Sequence, residues 1–362
     1  SQLLTDALIG TGADGGITPT IVPTGHEGNF SPDGLTYYMG TGFISGWYYA
    51  VDVSDLSRPK LIAQINNADT QLGKNAAAYA AAGTPVLLGG DSHGLSISED
   101  GRRGYFVAVG GPPNLAALTD PTAANTDGFS IVDLSEVQDR KPNPQMRVIA
   151  SVGIKTGSIA QHTIPITIRG KPYLVFVDEA GSGGLFSETE AAAACAANLP
   201  VFPMAHIFDI SDERHPREIS QLMLQTHLPE NCAQVLPDVV GLATFTYGSH
   251  YCSVDNRTNA TAMACGYFNS GIRVFDIRDP YRPKEIAYYN PAGVTTAMHG
   301  SGHYNAGQWI AGGPDWCSAR LDFDFDRRMI SSMCQDNGLL VLSFENGVWP
   351  MPESTPSRGP TN

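Results

Sequence analysis

The chain has 362 residues, 42% hydrophobic and 16% charged, with 39 glycines and 25 prolines, the composition of a turn-rich all-β protein rather than a helical or disordered one. A net charge of −14 lacks the Lys/Arg excess needed to track phosphates, so neither nucleic acid nor an anionic membrane is expected as a partner. No apolar run approaches the ~20 residues that span a bilayer, and a chain opening on Ser1 without an apolar leader reads as a mature or trimmed product.

In chain order, "GTGADG" at 10–15 fits G-x-G-x-x-G but has no βαβ unit around it, so a turn is expected. "GITPTIVP" at 16–23 follows as an isolated strand candidate. Then one plan recurs: His, an alternating strand, a turn, a second apolar strand. It appears in "GHEGNFSPDGLTYYMG", "SHGLSISEDGRRGYFVAVG", "QHTIPITIRGKPYLVFVDEAG" and "SHYCSVDNRTNATAMACGY". Each copy leads to a third strand ending in Asp and a fourth after the next Pro. A fifth copy, "DWCSARLDFDFDRRMISSMCQDNGLLVLSF", carries Asp315 where His250 would stand.

Four antiparallel strands per sequential repeat predict a β-propeller spanning 1–362 as one domain, with blades starting near 26, 93, 162, 250 and 315. Five four-stranded blades fit best, with six or seven as alternatives. The last copy lacks an outer strand, which residues 16–23 are expected to supply, closing the ring and removing an exposed edge. Long connections at 65–90, 110–127, 180–203, 221–248 and 290–314 fall on one face, and long loops of this kind are usually functional. Two are Ala-rich enough for short helices; "SETEAAAACAAN" opens with a capping-box pattern from Ser187 to Glu190.

The six cysteines divide by symmetry. Cys252 and Cys265 are equidistant from the turn at "NRTNAT", and Cys317 and Cys334 flank "DFDR"; opposed hairpin residues come within disulfide range. Cys195 and Cys232 remain for each other. Three disulfides imply an oxidising compartment, so a secreted or periplasmic protein. Asn256 and Asn259 head N-x-T sequons on the first of these turns, acceptors for glycans in a eukaryotic source.

"GFSIVDLS", "HIFDIS" and "IRVFDIRDP", with "HGLSISEDG" opening an inner strand, resemble the LVIVD-repeat propellers over roughly residues 20–348. The resemblance implies the propeller fold and names no activity.

Blade-opening residues sit at the mouth of the central channel, so His26, His93, His162 and His250 are expected to converge, with Asp315 in the fifth position. Converging neutral imidazoles suit iron or copper, and zinc after them. The arrangement is similar in kind to the four-histidine iron site of carotenoid-cleaving oxygenases. The alternative is a repeat consensus in which each ring bonds a neighbouring blade's backbone. Glu27 and Asp91 are candidate acceptors for the outer ring nitrogens and candidate catalytic groups. His299 and His303, in "AMHGSGHYN", are candidate acid–base groups capping the channel, or solvated loop residues. His206, His215 and His227 lie off the anchor and read as structural or exposed.

"GDSHG" at 90–94 fits a nucleophile elbow, but a strand follows where a helix is required. Asp322, Asp324 and Asp326 offer carboxylates to calcium, although no EF-type loop follows and a solvated acidic face is the plainer reading. The Asp recurring at 52, 133, 209 and 276 is expected to bond turn amides rather than to catalyse. Together these features predict a secreted metal-dependent oxidoreductase acting on a small organic substrate. The alternatives are a metal-free cyclase, isomerase or lyase using the same pocket, or a non-catalytic binding propeller.

Overall fold

The computed structural model describes residues 25–42, 45–84, 86, 89–111, 115–120, 122–182, 188–239, 247–293 and 315–352. Within them the chain is all-β, apart from short helices in the connections. Sheet I holds β1 (Gly28–Phe30), β2 (Thr36–Gly40), β3 (Trp47–Asp52) and β4 (Lys60–Asn66). Sheet II holds β5 (Leu95–Ile97), β6 (Arg103–Ala108), β7 (Gly128–Asp133) and β8 (Arg147–Gly153). Sheet III holds β9 (Gly157–Ile168), β10 (Lys171–Gly181), β11 (Ala205–Asp209) and β12 (Arg217–Gln221). Sheet IV holds β13 (Ser249–Val254), β14 (Ala262–Tyr267), β15 (Ile272–Asp276) and β16 (Lys284–Tyr289). Sheet V has three described strands, β17 (Asp322–Asp324), β18 (Met329–Cys334) and β19 (Gly338–Ser343). In every sheet the strands lie in chain order, each antiparallel to the next.

Consecutive sheets stack face to face, and the first strands of sheets I to IV meet in succession, β1 on β5, β5 on β9 and β9 on β13. Up-and-down sheets joined in this way are propeller blades. A separate apolar layer fills each junction. Tyr38, Tyr48, Leu95 and Phe106 lie between sheets I and II. Between II and III, Phe129 meets Phe176 and Phe208 with ring centroids 5.8 and 5.1 Å apart. Each such buried ring contributes about 2–3 kcal/mol through its burial.

The recurring Asp does what was expected of it. Oδ1 of Asp52, Asp133, Asp209 and Asp276 accepts from the backbone N–H two residues on, at 2.9–3.0 Å, closing the turn after each third strand. All three expected disulfides are present. Cys252–Cys265 and Cys317–Cys334 have Cα atoms 4.0 Å apart, and Cys195–Cys232 joins the helix Glu188–Ala196 in one long connection to the helix Cys232–Val235 in another. They point to folding in an oxidising environment. Among the described residues no helix is long and apolar enough to cross a membrane.

One expectation changes. Asn256 is buried, and its Oδ1 accepts from the backbone N–H groups of Thr258 and Asn259 and from the Thr258 hydroxyl, so this sequon offers no accessible amide to a glycan. In sheet V the outward face leaves Met333, Leu339 and Val341 57, 67 and 58% exposed. The candidate closing strand at 16–23 and the histidines His299 and His303 lie outside the described residues.

Candidate functional site

Three of the four blade histidines gather at the start of the inner strands. His93 is buried, and its Nδ1–H donates to the Ala160 carbonyl of the next sheet at 2.9 Å. A carbonyl only accepts, so this bond fixes the tautomer and leaves Nε2 of the neutral ring bare. That nitrogen lies 2.7 Å from His26 Nε2, and the two rings stack with centroids 4.6 Å apart. Burial pushes His93 below the ordinary histidine range, which keeps it neutral. The carbonyl it uses follows Ile159, held at φ 55°, a left-handed conformation that β-branched residues avoid.

His250 repeats the pattern two junctions further round: its Nδ1–H donates to the Ser318 carbonyl at 2.7 Å. Its Nε2 faces Glu179 Oε1 at 2.6 Å. Glu179, which closes β10 beside Ala180, is 6% exposed. Burial alone would push this carboxyl up, but the hydrogen bond and charge of His250 outweigh burial and hold it below the ordinary range. Burial likewise disfavours the His250 imidazolium, and Glu179 outweighs it and raises the histidine.

Glu27 completes the cluster. Its Oε2 accepts from the Tyr251 hydroxyl at 3.2 Å and its Oε1 meets the Arg320 guanidinium at 3.3 Å. Burial pushes this carboxyl from 4.5 to about 7 against the opposing pull of Arg320 and Tyr251. The Tyr251 ring packs edge-on against His250, centroids 4.5 Å apart, so Glu27 and the His250–Glu179 pair share one wall.

The other candidates are placed differently. His162 is buried with both nitrogens engaged: Nε2 accepts from the Cys252 N–H at 3.3 Å and Nδ1 contacts Gln161 Oε1. Its ring stacks on Tyr251, and burial drives its pKa well below the ordinary range. A cavity of about 20 Å³ lies between His162, Arg257 and Arg320. Asp315 stands at the β18–β19 turn, its carboxylate accepting from the backbone N–H groups of Asp336 and Asn337 and from the Asn337 amide. Asp91 forms a bridge with Val109 just before His93, and burial raises its carboxyl to about 6. Asp324 is paired with Arg327 across its turn at 2.7 Å.

Among the described residues, the three His, Cys, Asp or Glu side chains whose ligand atoms all fall within 4.8 Å are Asp315, Cys317 and Cys334, and those two sulfurs are joined to each other. The histidines are gathered as a His26–His93 pair and a His250–Glu179 pair, not as one tight shell.

Glu179, Tyr251 and Arg320 escaped the reading of the sequence. Glu179 had a signal: "VFVDEAG" ends an apolar second strand in two acids where its counterparts read "YYMG" and "VAVG", and ionisable groups there must be paired or functional. The first acid, Asp178, turns to the opposite side and pairs with His206, both fully buried, at 3.3 Å.

No protein-family model matches the chain, and no curated protein sequence matches it. Among solved structures the chain is similar to a functionally unknown protein from Desulfotomaculum acetoxidans, at 8% identity and a TM-score of 0.44 over 90% of this chain and 64% of that one. It is similar to the β-propeller domain of Cps50 (Swd1) from Myceliophteria thermophila, at 7% identity and 0.46 over 88% and 69%. It is also similar to Chaetomium thermophilum Sqt1 bound to the N-terminus of the ribosomal protein L10, at 14% identity and 0.46 over 88% and 57%. The chain thus spans less than two thirds of the first and third of these structures.

Proposed function

We propose that this protein is a secreted or periplasmic enzyme that transfers protons on a small organic substrate at the channel mouth, in the manner of an isomerase, lyase or cyclase. The observation that carries this reading is the His250–Glu179 contact of 2.6 Å. His250 already donates from Nδ1 to Ser318, so a carboxylate at Nε2 requires a second proton, and the pair stores it as an imidazolium and a carboxylate. Glu27, pushed up to about 7, sits on the other side of Tyr251 with a proton of its own to give or take near neutral pH. Two proton-holding groups of different strength on one wall serve abstraction at one atom and delivery at another. His26 and His93 line the same mouth with their Nε2 atoms 2.7 Å apart.

A second reading is a metal-dependent oxidoreductase, iron or copper before zinc. It is favoured by the Nδ1 bonds of His93 and His250 to backbone carbonyls, which brace each ring and direct its Nε2 into the cluster. His26, His93, His250 and Glu179 would then be the donors.

The fold reading that goes with both is a five-bladed propeller of the LVIVD-repeat kind. Supporting the ring, Glu27 just before β1 meets Arg320 just before β17 at 3.3 Å.

Incubating tag-free protein in deuterated water with a small-metabolite extract distinguishes the chemistries. Mass spectrometry is expected to show deuterium entering at least one small molecule, insensitive to chelators and lost in Glu27→Gln. An extract without any such exchange counts against the proposal. Exchange that chelators abolish and iron, copper or zinc restores moves the assignment to the metal reading.

A further inference from the structure

We propose that Arg320 is the anchor for an organic carboxylate, which makes the substrate class of the channel-mouth site a small carboxylic acid. This rests on the acid–base reading and adds to it a specificity residue. Three other arginines of the fold spend several donors on fixed partners. Arg278 makes three bonds to the Asp276 carboxylate, and Arg103 binds both oxygens of Glu213 and the Arg102 carbonyl. Deeper in the channel, Arg257 is tied to the Ile97 and Pro165 carbonyls and to Glu99.

Arg320 differs. Among the described residues, one of its five N–H donors is engaged, in the 3.3 Å contact with Glu27 Oε1. Its side chain is 37% exposed. The guanidinium lies 5.2 Å over the Tyr251 ring, a contact that holds it without using its N–H donors. A planar, two-oxygen anion takes a guanidinium fork with two parallel bonds, a geometry that single-point contact with Glu27 does not use. A singly charged carboxylate also suits the neighbours: the nearby carboxyls of Glu27 and Glu179 oppose a phosphate dianion more strongly, while the His250 imidazolium offsets one negative charge.

The test is calorimetric titration of the full chain with benzoate, and with benzamide as its neutral counterpart, at one fixed pH. Saturable binding of benzoate and none of benzamide is expected. Arg320→Met should weaken benzoate binding by about 10- to 100-fold, the loss of a charge-assisted hydrogen-bonded anchor, and Arg320→Lys by less, because the point charge survives without the fork. Glu27→Gln should tighten it by removing a competing anion while keeping an acceptor for Tyr251, a gain that mere damage to the fold would not produce. No saturable benzoate binding, equal binding of benzamide, or indifference to Arg320→Met in a variant that keeps the wild-type thermal transition would overturn the proposal. Titration reads binding and not turnover, so an absent carboxylate site leaves the proton-transfer reading standing. Benzoate binding in a protein that catalyses no deuterium exchange overturns that reading and leaves the anchor.

Discussion

The Glu27 carboxyl, 11% exposed, carries the most testable electrostatic feature of the cluster. Its value rises from 4.5 to about 7 on folding, mainly through burial. The folded state therefore holds this proton more tightly, and the resulting stability is full below pH 4.5 and lost as pH rises to about 7. Beyond that the ionised carboxyl costs about 3 kcal/mol relative to a neutral one. Glu27→Gln removes that cost, so denaturant midpoints of variant and wild type should diverge in the variant's favour across this window and run parallel above it. His206 works with the opposite charge. Burial disfavours its imidazolium, but Asp178 and then Glu218 outweigh burial and raise it to about 10. Its contribution is present below pH 6.5 and lost as pH climbs towards 10. Replacing it with Asn leaves Asp178 buried without a counter-charge and should cost about 3–5 kcal/mol in chemical denaturation; a loss under 1 kcal/mol would mean the pair is not ionised. Single residues were the least legible level of the sequence. Repetition picked out His93 and His250, but whether a ring nitrogen turns to metal, carboxylate or carbonyl depends on atoms from the neighbouring sheet. That is why His162, equivalent in the repeat, is sealed by Cys252 and Gln161 instead.

Strands, turns and staples were far more legible, because each rests on local chemistry. Period-2 alternation marked the strands, and the Asp two residues before a turn amide marked the third-to-fourth connections. Equal distance from a turn located the cross-strand cysteines, which face each other as register partners in β13 and β14. The Cys252–Cys265 bridge closes 13 residues, and chain-entropy arguments assign about 3 kcal/mol to a loop of that size. The Cys252→Ser/Cys265→Ser double variant should lose about 2–4 kcal/mol, read from the shift in denaturant midpoint, and an unchanged midpoint would show that the staple is dispensable. The irregular elements were hidden. β9 and β10 shift register between Val177 and Asp178, at the point where Asp178 and Glu179 part to opposite sides of the strand. Gly157 pairs with Gly181 just beyond this bulge, and a Cβ there would run into Asp178 Oδ2. Gly157→Ala should therefore lower stability as well as disturb the Glu179–His250 pair, whereas the same change at Gly83, where a Cβ meets nothing, tests backbone strain alone.

For the whole molecule, repetition carried the prediction: five copies of one plan became five sequential antiparallel sheets. The propeller arrangement was legible because a repeat that cannot bury its own faces must stack on its neighbours. What the repeat does not encode is the order in which the ends meet. If residues 16–23 complete sheet V, deleting residues 1–24 should lower the thermal midpoint by several degrees and promote association through the β19 edge, measured by calorimetry and light scattering; an unchanged midpoint would reject that closure. The central claim concerns protons at the channel mouth, and it is tested most directly by a long-range proton–nitrogen correlation spectrum of the histidine rings in tag-free protein at neutral pH, with metal content measured on the same sample. The account predicts His250 protonated on both nitrogens, His93 neutral with its proton on Nδ1, and no stoichiometric transition metal. His250 and His93 both bare at Nε2 with about one equivalent of iron, copper or zinc per chain would contradict it.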